Sequence, residues 1–296
     1  MLNIKIGKEL NHIKIYLVIF LSIFYISLIR TKFNKKTIYQ KDDLTLVSAY
    51  YRIKSKHTPN EYIKWISNIV MLNKSFVFFT NREFMPTLKA LRPKELHHKT
   101  IFIEIEIEDF YSYKNFYKDF TKSFEIDYEN RYHTIPLYLV WAEKCMFLKK
   151  AIINNFFNSK CFYWIDIGYF RENKKDMKKY INDWPSTKKC YSNNRLLMGQ
   201  LKKFSLKEKK RILNFDSKAH IKLNRNLNVA GNIFGGQIKN AIAFIDYYYN
   251  AIRLFIKKRI FIGRDQTLFA YVAFAHPEII ELIFVKNFKE FRRILY

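Results

Sequence analysis

The run Phe162-Tyr163-Trp164-Ile165-Asp166-Ile167-Gly168 sets the tightest limit on the fold. β-forming apolar residues stop at one acid, and a glycine follows two residues on. An acid at the end of a buried strand lies where open α/β sheets place their ligands. The glycine admits a close approach of backbone or ligand. Downstream, Gly231-Asn232-Ile233-Phe234-Gly235-Gly236 and Gly263-Arg264-Asp265-Gln266 repeat the pattern of glycine beside polar groups.

The rest of the chain reads as alternating strands and helices. Leu44–Tyr50 and Ser75–Thr80 are strand candidates, and Pro59 opens a helix between them whose Tyr62, Trp65, Ile66, Ile69 and Val70 recur at helical spacing. Strand, helix and strand in so short a stretch is a βαβ signature. Residues 101–108 alternate Ile and Glu, which as a strand puts the isoleucines on one face and the glutamates on the other. Glutamates stacked along an open face repel one another, so this reads as an edge strand and not as a metal site. Helical pieces and loop are expected over 110–135, a helix over 136–155, a lysine-rich surface loop over 171–190 and a short strand over 196–201. A basic helix over 202–213 has Ser205 as cap and Glu208 three residues on. A long amphipathic helix spans 237–257, and another helix 266–274. The three glycines at 231, 235 and 236 then read as a tight turn ahead of the long helix.

Composition is permissive. The chain has 296 residues, 49% of them hydrophobic, enough for a substantial core. Its 53 Lys and Arg against 26 Asp and Glu give a net charge of +27. That charge attracts polyanions, but abundant Lys, Asn, Ile, Phe and Tyr together are also what an AT-rich genome encodes. No nucleic-acid motif is present, so no specific nucleic-acid partner is expected. Cys145, Cys161 and Cys190 show no metal-site spacing and allow one disulfide at most.

Residues 15–29 carry no charge and are flanked by Lys5, Lys8, Lys14, Arg30 and Lys32. The run is short of the about 20 residues of a spanning helix and lacks a small-residue cleavage site. It reads as an uncleaved signal anchor, with a cleaved signal or an interfacial helix as the other readings. This divides the chain into tail, anchor and stem at 1–43 and a folded domain at 44–296. It places that domain at a membrane, single-pass, facing the endoplasmic reticulum or Golgi lumen in a eukaryote and otherwise associated with the cell envelope.

Several residues carry candidate chemistry, each with a plain alternative. Asp166 suits a divalent cation that neutralises a diphosphate, or caps the next segment. Arg171 suits a phosphate or a surface carboxylate. Backbone N–H groups at the glycines suit an anion, or the glycines only turn the chain. Asp265 suits a general base that deprotonates a hydroxyl, or a helix N-cap. His276 is a second metal ligand or a structural histidine.

The segments TLVSAYY, SFVFFTN, WAEKCMFLKKAI, FYWIDIGYFR, GNIFGGQIKNAIAF and GRDQTLFAYV together resemble the HtrL/YibB family, also called WlaTC/HtrL, over about residues 44–285. The resemblance implies an α/β, GT-A-like (Rossmann-like) mixed sheet flanked by helices. It implies a membrane-anchored glycosyltransferase that moves a sugar from a nucleotide-sugar donor to a glycan or glycoconjugate acceptor. Asp166 and Gly168 then stand where such enzymes bind metal, Mn or Mg, and the sugar-nucleotide diphosphate. The motif here is D-I-G and lacks a second acid. Gly235 and Gly236 line the sugar or acceptor pocket, Asp265 is the base with Gln266 beside it, and Lys144 reaches the phosphate. The alternative is a non-catalytic glycan- or polyanion-binding protein on the same scaffold.

Overall fold

The structure, a computed structural model, describes residues 42–224 and 229–296. The expected anchor at 15–29 lies outside the described residues. Among the described residues no helix is long and apolar enough to cross a membrane.

Seven strands form one sheet: β1 (Leu44–Tyr50), β2 (Ser75–Thr80), β3 (Thr100–Glu104), β4 (Cys161–Ile165), β5 (Leu196–Gln200), β6 (Val229–Gln237) and β7 (Ile280–Phe284). Their order is β3-β2-β1-β4-β6-β5-β7. β6 is antiparallel to both neighbours, and every other pairing is parallel. The fold is therefore a mixed α/β sheet flanked by helices. The main helices are α1 (Pro59–Ile69), α2 (Tyr111–Glu125), α3 (Ile135–Asn154), α4 (Leu206–Leu213), α5 (Ile238–Lys257), α6 (Asp265–Ala275) and α7 (Phe288–Ile294).

Both faces of the sheet are covered, so β1, β2 and β4 are buried along their whole length and are mostly apolar without alternation. On one face Leu46, Phe76, Phe78, Tyr163 and Ile165 pack with Ile66 and Ile69 of α1, with Trp184, and with Phe291 of α7. On the other, Phe147 of α3 stacks between Phe79 and Trp164, at 4.6 and 6.1 Å between ring centres. There too, Phe234 of β6 meets Phe244 of α5 at 5.4 Å and Phe269 of α6 at 5.0 Å. Local chemistry fixes the helix starts. Thr58 and Glu61 form a capping box ahead of Pro59, and Ser205 and Glu208 form another on α4.

Three expectations change. The glycines at 231, 235 and 236 lie inside strand β6, not in a turn. The lysine-rich stretch 171–190 is more than a surface loop: Tyr180 and Trp184 are buried, and Cys190 forms a disulfide with Cys161 at the start of β4. The alternating Ile/Glu run does lie at the sheet edge, but the strand ends at Glu104 and residues 107–109 turn into a 3₁₀ helix. There Arg82 holds both Glu104 and Glu106, so the glutamates do not converge on an ion. The residues beyond Pro277 supply β7 and α7.

Gly235 faces Tyr163 across the β4–β6 ladder, and a Cβ there would stand 2.2 Å from the Phe162 carbonyl oxygen. Backbone cannot yield that far. At Gly236 the nearest atom is the Arg195 oxygen at 3.2 Å. Gly235→Ala should destabilise the fold by ~3 kcal/mol or more and Gly236→Ala by about 1. Thermal denaturation of the two variants side by side checks the difference.

Candidate functional site

The chain leaves β1 toward β2 and β3 on one side and returns to β4 on the other, so a switch point lies between the C-terminal ends of β1 and β4. Open α/β sheets bind ligands in the crevice at such a point. Here a cavity of about 610 Å³ opens, lined by Ala49, Tyr50 and Tyr51 after β1 and by Trp164 and Asp166 after β4. A lobe of about 400 Å³ shares Lys144, Asp166, Arg171 and Asn232 with it and adds Arg264, Asp265 and Gln266.

Lys144 is the centre of the site. α3 carries it inward over β4, next to Glu143, whose carboxylate accepts the backbone N–H groups of Tyr111 and Ser112 at the start of α2. The Lys144 side chain is only 5% exposed. Its ammonium stands 3.0 Å from Asp166 Oδ1, 2.8 Å from Asp265 Oδ2 and 3.1 Å from the Gly231 carbonyl oxygen. Burial alone would lower its pKa, but the carboxylates of Asp166 and Asp265 outweigh that and hold it above the ordinary lysine value. Asp265 is itself buried. Desolvation raises its pKa against the pull of Lys144, and Asp166 adds to the rise.

Each partner is positioned by the fold. Asp166 follows β4 directly, and Trp164 two residues back on the same face donates its indole N–H to Oδ1 at 2.7 Å. Asp265 opens α6, where an acid suits the positive end of the helix. Its Oδ1 accepts the Gln266 backbone N–H at 2.7 Å. Gly231 is needed where it is, because a Cβ there would stand 2.8 Å from Asp265 Oδ2. Arg171 lies over the Trp65 ring at 4.1 Å, with His57 Nε2 3.3 Å from its guanidinium. Gly168 lets Trp65 approach, since a Cβ would stand 3.0 Å from that ring.

The structure thus brings Lys144, Asp166, Arg171, Asp265 and Gln266 to one cleft. Gly235 and Gly236 are not cleft residues: they sit inside the β4–β6–β5 ladder, where neighbouring backbone leaves no room for a side chain. His276 lies at the far end of α6 from Asp265, about 16 Å along eleven residues. Its ring stacks on Tyr247 at 3.6 Å and its Nδ1 lies 3.2 Å from Glu278, so it does not join Asp166. The sequence reading passed over Asn232, Trp141, Lys289 and Arg292, all of which line the cleft. Asn232 had a signal, an amide inside an apolar strand, where Asn is disfavoured. Arg292 and Lys289 come from the tail helix that the reading missed.

Among the described residues no group of three or more His, Cys, Asp or Glu is arranged to hold a metal ion. The donor chemistry is more specific than that. Asp166 Oδ1 is taken by Trp164 and Lys144, whereas Oδ2 has one long contact, 3.3 Å to Lys144, on a side chain that is 34% exposed. One open carboxylate oxygen fits a hard cation that arrives with a substrate diphosphate, since such ions are commonly held by one or two carboxylates plus phosphate. It does not fit a cation caged by protein alone.

Fold and cleft define a mixed α/β protein with a cavity at the sheet's switch point. The family model described as "Bacterial protein of unknown function (HtrL_YibB)" matches residues 42–295. The chain belongs to that family. No curated protein matches it significantly.

Lys144 compensates two acids, so removing it alone leaves buried charge. Lys144→Met should destabilise the fold at pH 7 by about 3–5 kcal/mol. The deficit should shrink as pH falls, because the unpaired carboxylate then binds a proton in the folded state that the unfolded chain does not yet hold. Lys144→Met/Asp265→Asn should recover much of the loss at pH 7. Urea denaturation at pH 7 and pH 5 measures both.

Proposed function

We propose that this chain is a glycosyltransferase that moves a sugar from a nucleotide-sugar donor to a glycan or glycoconjugate acceptor. The observation that carries the reading is the Asp166–Lys144–Asp265 cluster at the mouth of a switch-point cavity large enough for a nucleotide. The mixed sheet with one antiparallel strand agrees with the GT-A-like domain that the sequence resemblance implies. The lobe along β1 offers tyrosine rings for a nucleoside, and Arg171 and Lys289 on its walls offer positive charge for a diphosphate. The lobe beyond Lys144 offers Asp265, Gln266 and Arg264 to a sugar and its acceptor.

In the reaction the bond from the anomeric carbon to the diphosphate oxygen breaks, and its electron pair leaves with the diphosphate. A bond forms from the acceptor oxygen to the anomeric carbon. The acceptor's proton goes to the Asp265 carboxylate, whose basicity burial raises. Lys144 fixes that carboxylate and Asp166 in register, and it spreads positive charge toward the departing phosphate. A divalent cation, when bound, supplies further charge to the same leaving group.

The setting belongs to the same proposal. A Cys161–Cys190 disulfide persists where thiols are oxidised, which supports a domain held on the lumenal or envelope side of a membrane by residues 15–29.

A thermal-shift screen of the full-length chain in detergent, against nucleoside diphosphates and nucleotide sugars with and without manganese, tests the reading. Ligand at a hundredfold excess over its Kd stabilises by about 2.7 kcal/mol, which should raise the Tm by roughly 5 °C or more. The rise should be confined to one nucleotide and absent in Asp166→Ala. Insensitivity to every nucleotide, together with a salt-sensitive shift from an anionic polysaccharide, would point instead to the non-catalytic binding protein.

A further inference from the structure

We propose that Asn232 supplies the second protein oxygen for a divalent cation at Asp166, the place taken in a two-acid motif by the acid this sequence lacks. The register requires the two side chains to meet. Ile165 pairs with Ile233 across the antiparallel β4–β6 ladder, so Asp166 stands opposite Asn232, and the Asp166 N–H donates to the Asn232 carbonyl at 2.8 Å. Residues directly opposite in such a ladder project their side chains to the same face, with Cβ atoms about 5 Å apart. That face is the wall of the cleft, and Asn232 lines both of its lobes.

Asn232 Oδ1 is a buried acceptor with no hydrogen-bond partner. An unpaired amide oxygen in a protein wall is unfavourable and calls for an explanation. A ligand that accepts its lone pair provides one. Charge selects the kind of ligand. Arg171 and Lys289 elsewhere on the cleft walls are positive, but the Asp166, Asp265 and Lys144 cluster sums to one negative charge where the proposed substrate would bring a diphosphate. Lys144 is already committed to Asp166, Asp265 and the Gly231 carbonyl, and reaches the second Asp166 oxygen only at 3.3 Å. A hard divalent cation reverses that sign, and its preferred ligands are carboxylate and amide carbonyl oxygens. The open Asp166 oxygen and the orphan Asn232 oxygen are such a pair, with phosphate and water to fill the remaining positions.

The inference rests on the transferase reading only for the identity of the diphosphate. Electron paramagnetic resonance of free Mn²⁺, titrated with the full-length chain in detergent, with and without inorganic pyrophosphate, tests it without any turnover. Wild type should bind one Mn²⁺, more tightly with pyrophosphate. Asn232→Ala should weaken that binding about tenfold or more, while Asn232→Asp should tighten it in the absence of pyrophosphate, because affinity for such ions follows ligand charge. Near-UV circular dichroism confirms that each variant is folded, and Asn232→Asp keeps the test decisive if the alanine variant is not. Wild-type affinity in both variants, or no Mn²⁺ binding by wild type, overturns the proposal. Nucleotide-sugar turnover indifferent to manganese would overturn it while sparing the transferase. Mn²⁺ binding that depends on Asn232 but ignores pyrophosphate would support the cation site while counting against the transferase.

Discussion

A single buried ammonium ties the parts of this protein together. Lys144 reaches from α3 to the end of β4, to the start of α6 and to the backbone of β6. Each contact depends on the others. Asp265 could not be buried as a carboxylate without a cation beside it, since an isolated buried charge is strongly disfavoured. Asp265 could not come so close to β6 unless residue 231 had no side chain. Asp166 could not keep one oxygen open to the cleft unless Trp164 and Lys144 fixed the other. The cluster is thus a structural clamp whose outer edge is the wall of the cleft.

The reversal of β6 has a similar double effect. An antiparallel strand beside β4 sets residues of the two strands directly opposite each other, which a parallel neighbour would not do. That pairing puts Asn232 against Asp166 at the cleft and, three residues along, Gly235 against Tyr163 in the core. One strand therefore serves the site at one end and close packing at the other. This division explains why the three glycines of one short segment have different roles. Gly231 admits a carboxylate, whereas Gly235 and Gly236 admit neighbouring backbone.

The parts of this architecture that follow from local chemistry were legible in the sequence. β1, β2 and β4 are rich in apolar β-formers and read as buried strands, because a sheet covered on both faces needs no alternation. The helices announced themselves through Pro59, the Ser205–Glu208 box and the apolar stripe of α5. Asp166, Arg171, Asp265 and Gln266 were also named from the sequence, and Lys144 through the family resemblance, in three separate segments. Their convergence was not legible, because nothing local says that α3 crosses β4 or that α6 starts beside β6. The glycine strand was misread for a physical reason. Glycine normally weakens strands and marks turns, and only the closeness of neighbouring backbone, a tertiary fact, favours it here. Trp184 was undervalued for a related reason: lysines dominate its stretch, yet the buried aromatic decides where the chain goes.

The charge of the whole chain and the charge of the cleft are different matters. A net +27 acts as a diffuse field that draws anions to the surface, and salt screens such a field within about 10 Å at 0.1 M. The Asp166–Lys144–Asp265 cluster carries the opposite sign and sits partly out of solvent, where screening is weaker. Arg292, which lines the cleft, is matched by Glu172 at 2.6 Å. Lysines on the surface can therefore bring a polyanion to the protein without deciding what enters the cavity. Selection falls to the cleft's own groups: one open carboxylate oxygen, one unpaired amide oxygen, and the arginine stacked on Trp65. If the cleft takes the nucleotide sugar proposed above, such a set would separate a diphosphate that shares a hard cation from a phosphate attracted by charge alone.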